Sequence, residues 1–419
     1  MKLYKDMESF FSIRGTKYKG VFFILGLNIQ NENFLVGIKR ENDIVQIGSF
    51  TEGLKQNEKQ SLIQAIMSNQ KKMKENTVFV KPGICIELSF QSINNDQLIN
   101  PYFKSFQLEL TWEQCTWDRL VLDNAFVQYE VKITHPDKII WEKPFISKER
   151  FVAYLIQISP FILPFLEKRI LTTIRYPHGI PGESFYQKNC PDYAPSFIRT
   201  KEKDGINYIV CNDLSTLLWL GNQLAIEYHV PFQTIETDRP LEIVFDLDPP
   251  NSSSFSQAIK AAKEMKKIFD NFDIISYPKL SGSKGLQIHI PINRGSLSYD
   301  DTRIFTSFIA NYLVEKFPND FTIERMKKNR GGRLYIDYIQ HAEGKTIICP
   351  YSTRGKEQAT VAAPLYWEEV NEKLKVEKYN VPFVLDRLSN KNCPMSDFFA
   401  QENTSLLNII STLKKKITG

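Results

Sequence analysis

The sequence predicts an α+β chain in which a small β-barrel precedes a larger mixed domain. Three observations lead there. Residues 18–112 are filled by short alternating apolar and polar runs between Asn and Gly turns. From residue 118 onward amphipathic helices are interleaved with strands. The 419 residues, 42% of them apolar, suffice for about two to three packed domains.

The N-terminal strands are YKGVFFILGLNI, NFLVGIKREN, DIVQIGSF and GICIELSFQSI, with one helix expected at 58–74. Several short strands around one helix, in under a hundred residues, suit an OB-fold; a sandwich is the rival. Further on, helices are expected at 148–170, where Pro160 and Pro164 punctuate the run, and from Asp213-Leu214-Ser215 as a buried helix continuing through Leu224 and Ile226. Others are expected at 255–272, 302–316 and 406–416. Between them lie the strands EIVFDLD, GLQIHIPI, RLYIDYI and KTIICPY.

The bulk numbers exclude several classes. The N-terminus lacks the apolar core of a signal peptide, and no apolar run approaches the ~20 residues of a membrane span, so a cytoplasmic protein is expected. Six scattered cysteines without a CxxC pair argue against a zinc knuckle and a disulfide framework. A net charge of +5 permits nucleic-acid binding without demonstrating it.

The chemistry concentrates in two strands. In IVFDLDPP, Asp246 and Asp248 stand two residues apart and project to one face. Carboxylates that close resist ionising together, so either a divalent metal lies between them or they are a strand end running into an Asp-Pro turn. RLYIDY carries a third carboxylate, Asp337, which joins them if the two strands are neighbours. Three converging carboxylates make the oxygen-rich site expected for two Mg²⁺ or Mn²⁺ ions in an in-line phosphoryl displacement. Between these strands, Ser281-Gly282-Ser283-Lys284-Gly285 can form an anion-binding nest, or simply a turn. Arg330 and Arg354 add cations suited to a triphosphate, although a solvated basic loop has the same composition. Upstream, RYPHG and GESFYQK mix aromatics and bases that suit base stacking. His178 is most simply a turn residue, and His229 is placed at the end of the buried helix.

Taken in order, RYPHG, GESFYQKN, PDYAP, TLLWLGNQLAIEYH, FDLDPP, KLSGSKGLQIHIPI, LYIDYIQHAEGKTIICPYSTRG and TVAAPLYWEEV resemble the polymerase domain of the bacterial LigD family over residues 118–419. That resemblance implies an archaeo-eukaryotic primase-like fold. It also implies nucleotidyl transfer at gapped or broken DNA ends in non-homologous end joining, with ribo- or deoxynucleoside triphosphates and Mn²⁺ or Mg²⁺. Asp246, Asp248 and Asp337 match the metal-binding carboxylates, and Ser281, Lys284 and Gly285 the triphosphate-binding turn. His229, Arg330, Gln340 and Arg354 match nucleotide-site residues. Lys188, beside Phe185 and Tyr186, matches the lysine that receives a downstream 5′-phosphate. Many members read KGLH after the turn; here Gln287 holds that position, and His289, two residues on, shares its strand face.

Residues 18–112 resemble the OB-fold that closes an ATP-dependent DNA ligase, in the order of LigD proteins from Bacillus-like organisms. Residues 1–17 fall where an adenylation domain would end. No KxDG occurs; the nearest string is Glu202-Lys203-Asp204-Gly205. Without the lysine nucleophile no lysyl-AMP forms, so no ligation is expected from this chain alone. Implied partners are DNA ends and 5′-phosphorylated gaps, Ku and a separate ligase, in the bacterial cytoplasm at the nucleoid. A non-catalytic DNA-end adaptor and a primase are the competing readings.

Overall fold

The computed structural model describes residues 11, 17–40, 43–129, 131–180 and 182–418. Of the expected adenylation-domain remnant at 1–17, all but Phe11 and Lys17 lie outside the described residues. The chain divides into two compact units, residues 1–138 with 147–157, and 139–146 with 158–419.

The first unit is a seven-stranded antiparallel sheet. Its strands are β1 (Tyr18–Asn28), β2 (Asn33–Arg40), β3 (Asp43–Phe50), β4 (Gln70–Lys74), β5 (Thr77–Val80), β6 (Cys85–Phe90) and, after the small hairpin β7 (Ser92–Asn94) and β8 (Gln97–Ile99), β9 (Tyr102–Phe106). The order is β3-β2-β1-β5-β4, with β6 and β9 branching from β1. Phe11, Tyr18, Phe90 and Trp117 form the aromatic centre of its core, with ring centroids 5.2–5.8 Å apart. The helix expected at 58–74 is shorter, Gln56–Ser68, because Asn69 ends it and QKKMK becomes edge strand β4. Glu75 in a left-handed conformation turns β4 back onto β5, and backbone pairing overrides the helix preference of lysine.

After β10 (Ile139–Trp141) and β11 (Ile146–Ser147) comes the helix Lys148–Leu166, whose residues fall to the first unit up to Gln157 and to the second from Ile158; it ends before the expected Ile170 because Lys168 is left-handed. This helix reaches, by length and composition alone, the threshold of a membrane crossing, contrary to the sequence expectation; 67% of that window is buried, as in a core helix. Next come β12 (Thr172–Arg175), β13 (Phe185–Gln187), β14 (Arg199–Lys203), β15 (Ile206–Val210) and the helix Leu214–Asn222, capped by Asp213. That helix does not run to His229. Leu224 is left-handed and reverses the chain into strand β16 (Ala225–Pro231), whose apolar residues are buried on both faces. The buried run that reads as continued helix is therefore a central strand.

A four-stranded sheet, β13-β12-β16-β22, includes β22 (Thr346–Ile348). A five-stranded sheet, β18-β19-β17-β21-β20, is built from β17 (Glu242–Asp248), β18 (Tyr277–Leu280), β19 (Leu286–Pro291), β20 (Phe321–Thr322) and β21 (Leu334–Asp337). The helices Phe255–Asn271 and Tyr299–Lys316 lie on one face of it, where Phe245 meets Phe269 and Phe305. Alternation turns Ile243, Phe245 and Leu247 to the helices, and Glu242, Asp246 and Asp248 to the opposite face. The site lies on that face.

Candidate active site

Strand pairing brings the three aspartates together. Asp246 is directly opposite Asp337 on one side and Gln287 on the other, and Asp248 is opposite Tyr335. Asp246 Oδ1 accepts from Gln287 Nε2 at 3.1 Å. Burial, opposed by that bond and reinforced by Asp337 and Asp248, pushes its carboxyl up to about 6. Asp337 Oδ1 accepts from the Tyr335 hydroxyl at 3.1 Å and from the Gln340 backbone N–H at 2.9 Å. Asp248 is engaged on both oxygens, by Lys284 at 2.9 Å and Arg330 at 3.1 Å. Arg330 is buried, donates to the Glu324 and Arg325 carbonyls, and lies 4.0 Å over the Tyr335 ring.

Among the described residues no three His, Cys, Asp or Glu side chains are gathered as a ready metal cage. The carboxylates share a face, but Asp248 is turned to its two cations. The donor set nonetheless fits a hard divalent cation: it is all oxygen, and Asp246 carries a charge that its surroundings leave poorly compensated.

The Ser281–Gly285 segment is the turn between β18 and β19. Ser281 Oγ accepts from the N–H groups of Ser283 (3.3 Å) and Gly285 (3.0 Å). Gly282 has φ +69°, and a Cβ there would meet Arg354 Cγ at 2.7 Å and Ala362 N at 2.9 Å. Arg354 is thus packed against the turn. Its Nη1 lies 3.0 Å from Glu227 Oε2, which also pairs with His229 Nε2 at 3.0 Å. Arg354 Nε is buried without a hydrogen-bond partner among the described residues. Gln340 donates its side-chain amide to the Thr346 carbonyl at 2.7 Å.

Sequence reasoning missed Glu227, which has no motif of its own, and Lys279. The latter is fully buried and donates to Gln287 Oε1 (2.5 Å) and the Ile348 carbonyl (3.0 Å); burial brings its ammonium down to about 7. Its position opposite Gln287 in the hairpin was the available signal. His289 does not stand in for a histidine at position 287. Its Nδ1 is 2.7 Å from Glu242 Oε2, in a buried network with Arg169.

Lys188 is not in this cluster. It follows β13 and lines a groove of about 630 Å³ in which Lys201, Lys203 and Lys345 alternate with Glu202, Asp204, Asp238 and Glu343. On β13 itself Phe185 is 45% and Tyr186 72% exposed, and Arg175 lies 5.3 Å over the Phe185 ring.

Residues 147–395 match the family model of the LigD primase-polymerase domain. The bifunctional non-homologous end joining protein LigD of Bacillus subtilis is 44% identical over 394 residues, 94% of this chain and 64% of that protein. The multifunctional LigD of Mycolicibacterium smegmatis is 31% identical over 62% of this chain and 35% of its own length. Among solved structures, the polymerase domain of Mycobacterium tuberculosis Ligase D in complex with DNA superposes with a TM-score of 0.60 at 25% identity, over 65% of this chain and 99% of that one. The chain spans about two thirds of the length of the Bacillus protein and about a third of the mycobacterial one. With a match over more than half its residues, the chain belongs to the LigD primase-polymerase family.

Proposed function

We propose that this protein is a repair polymerase of non-homologous end joining that adds nucleotides to 3′ ends at gaps and breaks. The observation that carries the reading is the set Asp246, Asp248 and Asp337 on adjacent strands, facing Lys284 and Arg330. Two Mn²⁺ or Mg²⁺ ions held by these carboxylates would supply Lewis-acid stabilisation to the attacking 3′-oxygen and the leaving pyrophosphate.

The remaining work falls to the chain. Lys284, Arg330 and Arg354 bind the triphosphate beside the Ser281–Gly285 turn. His229 and Gln340 bound the nucleotide. Lys284 and Arg330 both pair with Asp248, so a triphosphate drawing these cations would exchange them for the metal at that carboxylate. Lys188 receives a downstream 5′-phosphate, and Phe185 with Tyr186 stacks bases. Residues 118–419 form the polymerase domain. The N-terminal sheet is an OB-fold that contacts duplex. Ku is the recruiting partner, in the bacterial cytoplasm at the nucleoid, and a separate ligase seals the product.

The test is extension of a labelled primer across a short gap bearing a downstream 5′-phosphate, with Mn²⁺ or Mg²⁺ and with ribo- or deoxynucleotides. Metal-dependent addition supports the reading, and the nucleotide comparison sets sugar preference. Binding of the gap without addition under any condition would replace it with a DNA-end adaptor. Dinucleotide synthesis without a primer would make the protein a primase.

A further inference from the structure

Glu227 lies on β16, two residues before His229 and on the same strand face. It is 4% exposed. Its Oε2 is 3.0 Å from His229 Nε2 and 3.0 Å from Arg354 Nη1, and its Oε1 accepts from the Gly355 backbone N–H at 2.9 Å. One buried carboxylate therefore ties a strand to a turn more than a hundred residues later. The turn is fixed from both sides. Ser352 Oγ accepts from Tyr228 N at 2.9 Å, and Thr353 Oγ1 donates to the Ile226 carbonyl at 2.5 Å. Gly355 is pressed so closely on Tyr176 that a Cβ there would come within 1.9 Å of its hydroxyl.

A buried carboxylate is retained only where its partners satisfy it, and these donors outweigh the burial that would raise its pKa. Two of the three partners are side chains, which rotate freely when nothing holds them. Bound to Glu227, the imidazole and the guanidinium are held as one unit beside the Ser281–Gly285 turn. The unpartnered Arg354 Nε leaves that guanidinium with donor capacity to spare.

We propose that Glu227 is a positioning residue for the incoming nucleotide: it orients His229 and Arg354 as a rigid pair and sets the 353–355 turn against the phosphate-binding turn. This rests on the nucleotidyl-transfer reading above. Glu227 touches no reacting atom, so its loss acts on nucleotide binding rather than on chemistry.

The experiment compares wild type, Glu227→Gln, Glu227→Asp, Arg354→Met and the Glu227→Gln/Arg354→Met double variant. Equilibrium binding of a Mn²⁺–nucleoside triphosphate is measured by calorimetry, KM and kcat by primer extension, and DNA affinity and melting temperature alongside. The expected result for Glu227→Gln is a nucleotide KM raised about 10- to 30-fold with kcat within about 3-fold. DNA affinity is unchanged. The double variant binds nucleotide within about 3-fold of Arg354→Met alone, the non-additivity of groups that act as a unit. Glu227→Asp, which keeps the charge and withdraws it by one methylene, falls between. The proposal is overturned if Glu227→Gln binds nucleotide like wild type, if the two losses simply add, or if both Glu227 variants fail to fold, which would make the carboxylate purely structural. A wild type that binds no nucleotide would instead remove the polymerase reading itself.

Discussion

The two ends of strand β17 carry acids in opposite circumstances. At one end Glu242 is fully buried and fully paired: Arg169 holds Oε1 at 2.9 Å and His289 holds Oε2 at 2.7 Å. Burial alone would raise its carboxyl, but Arg169 and His289 bring it down to about 2. Four residues along the same face, burial pushes Asp246 up to about 6, and among the described residues its side-chain partner is the neutral amide of Gln287. Arg169 also donates to the Pro231 carbonyl of β16, so the Glu242 end fastens the two sheets of the second unit together. The same strand and the same face serve two purposes, and the difference is whether the fold itself supplies the countercharge. A satisfied buried acid is a structural joint. An under-compensated cluster of acids is a place prepared for a cation from outside.

The largest expected effect is at the structural end. Glu242→Gln leaves Arg169 and His289 without their anion and should cost about 3–5 kcal/mol in denaturant unfolding. Asp246→Asn removes repulsion and should leave metal-free stability unchanged or higher. A destabilised Asp246→Asn beside an undisturbed Glu242→Gln would invert the comparison.

Next comes the cation that occupies Asp248. Arg330→Met should raise nucleotide KM about 10- to 100-fold, as loss of a charge-assisted contact does. The same variant should bind Mn²⁺ more tightly in the absence of nucleotide, because a competitor for Asp248 is gone. Calorimetry with Mn²⁺ alone checks the sign; weaker metal binding would break the exchange.

The two ends also differ in pH response. Glu242 lies below its ordinary value, and burial lowers His341, which hydrogen-bonds Thr302, to about 3. For both, the unfolded chain binds more protons, so their stability is present above about 6.5 for the histidine and about 4.5 for the acid, and is lost as pH falls toward about 3 and about 2. Each contributes at most about 1.4 kcal/mol per pH unit inside its window. Stability against unfolding should therefore fall steadily from pH 7 to pH 4, with a shallower slope in His341→Gln. Asp246, raised, has the opposite sign: its contribution falls as pH rises toward about 6. The smallest effect is expected for Tyr335→Phe, which removes one hydrogen bond to Asp337 and should slow transfer about 5-fold, a cost of about 1 kcal/mol.

Much of this was legible in the sequence, because period-two alternation fixes which side chains share a face. Asp246 and Asp248 share a strand face and Asp337 stands directly opposite Asp246 on the neighbouring strand, and SGSKG is the turn between two strands. Phe185 and Tyr186 are exposed as a stacking surface requires. What was not legible depends on partners distant in sequence. Glu227 gains its meaning from a turn at 354–355, Lys279 from a cross-strand glutamine, and Glu242 from Arg169. The sequence also overextended helices where local preference and tertiary pairing disagree. QKKMK has helix-forming residues yet pairs as an edge strand, and Leu224 to Ile226 is apolar enough for either state until a left-handed residue decides it.

The most direct test of the account is gap filling by Asp246→Ala beside wild type, on a primer facing a downstream 5′-phosphate, with gap binding and melting temperature measured on the same preparations. The account predicts that extension falls by at least about 100-fold, while DNA affinity is unchanged and the protein melts at or above the wild-type temperature. Full extension by Asp246→Ala would contradict it, and would remove the acidic end of β17 from the chemistry.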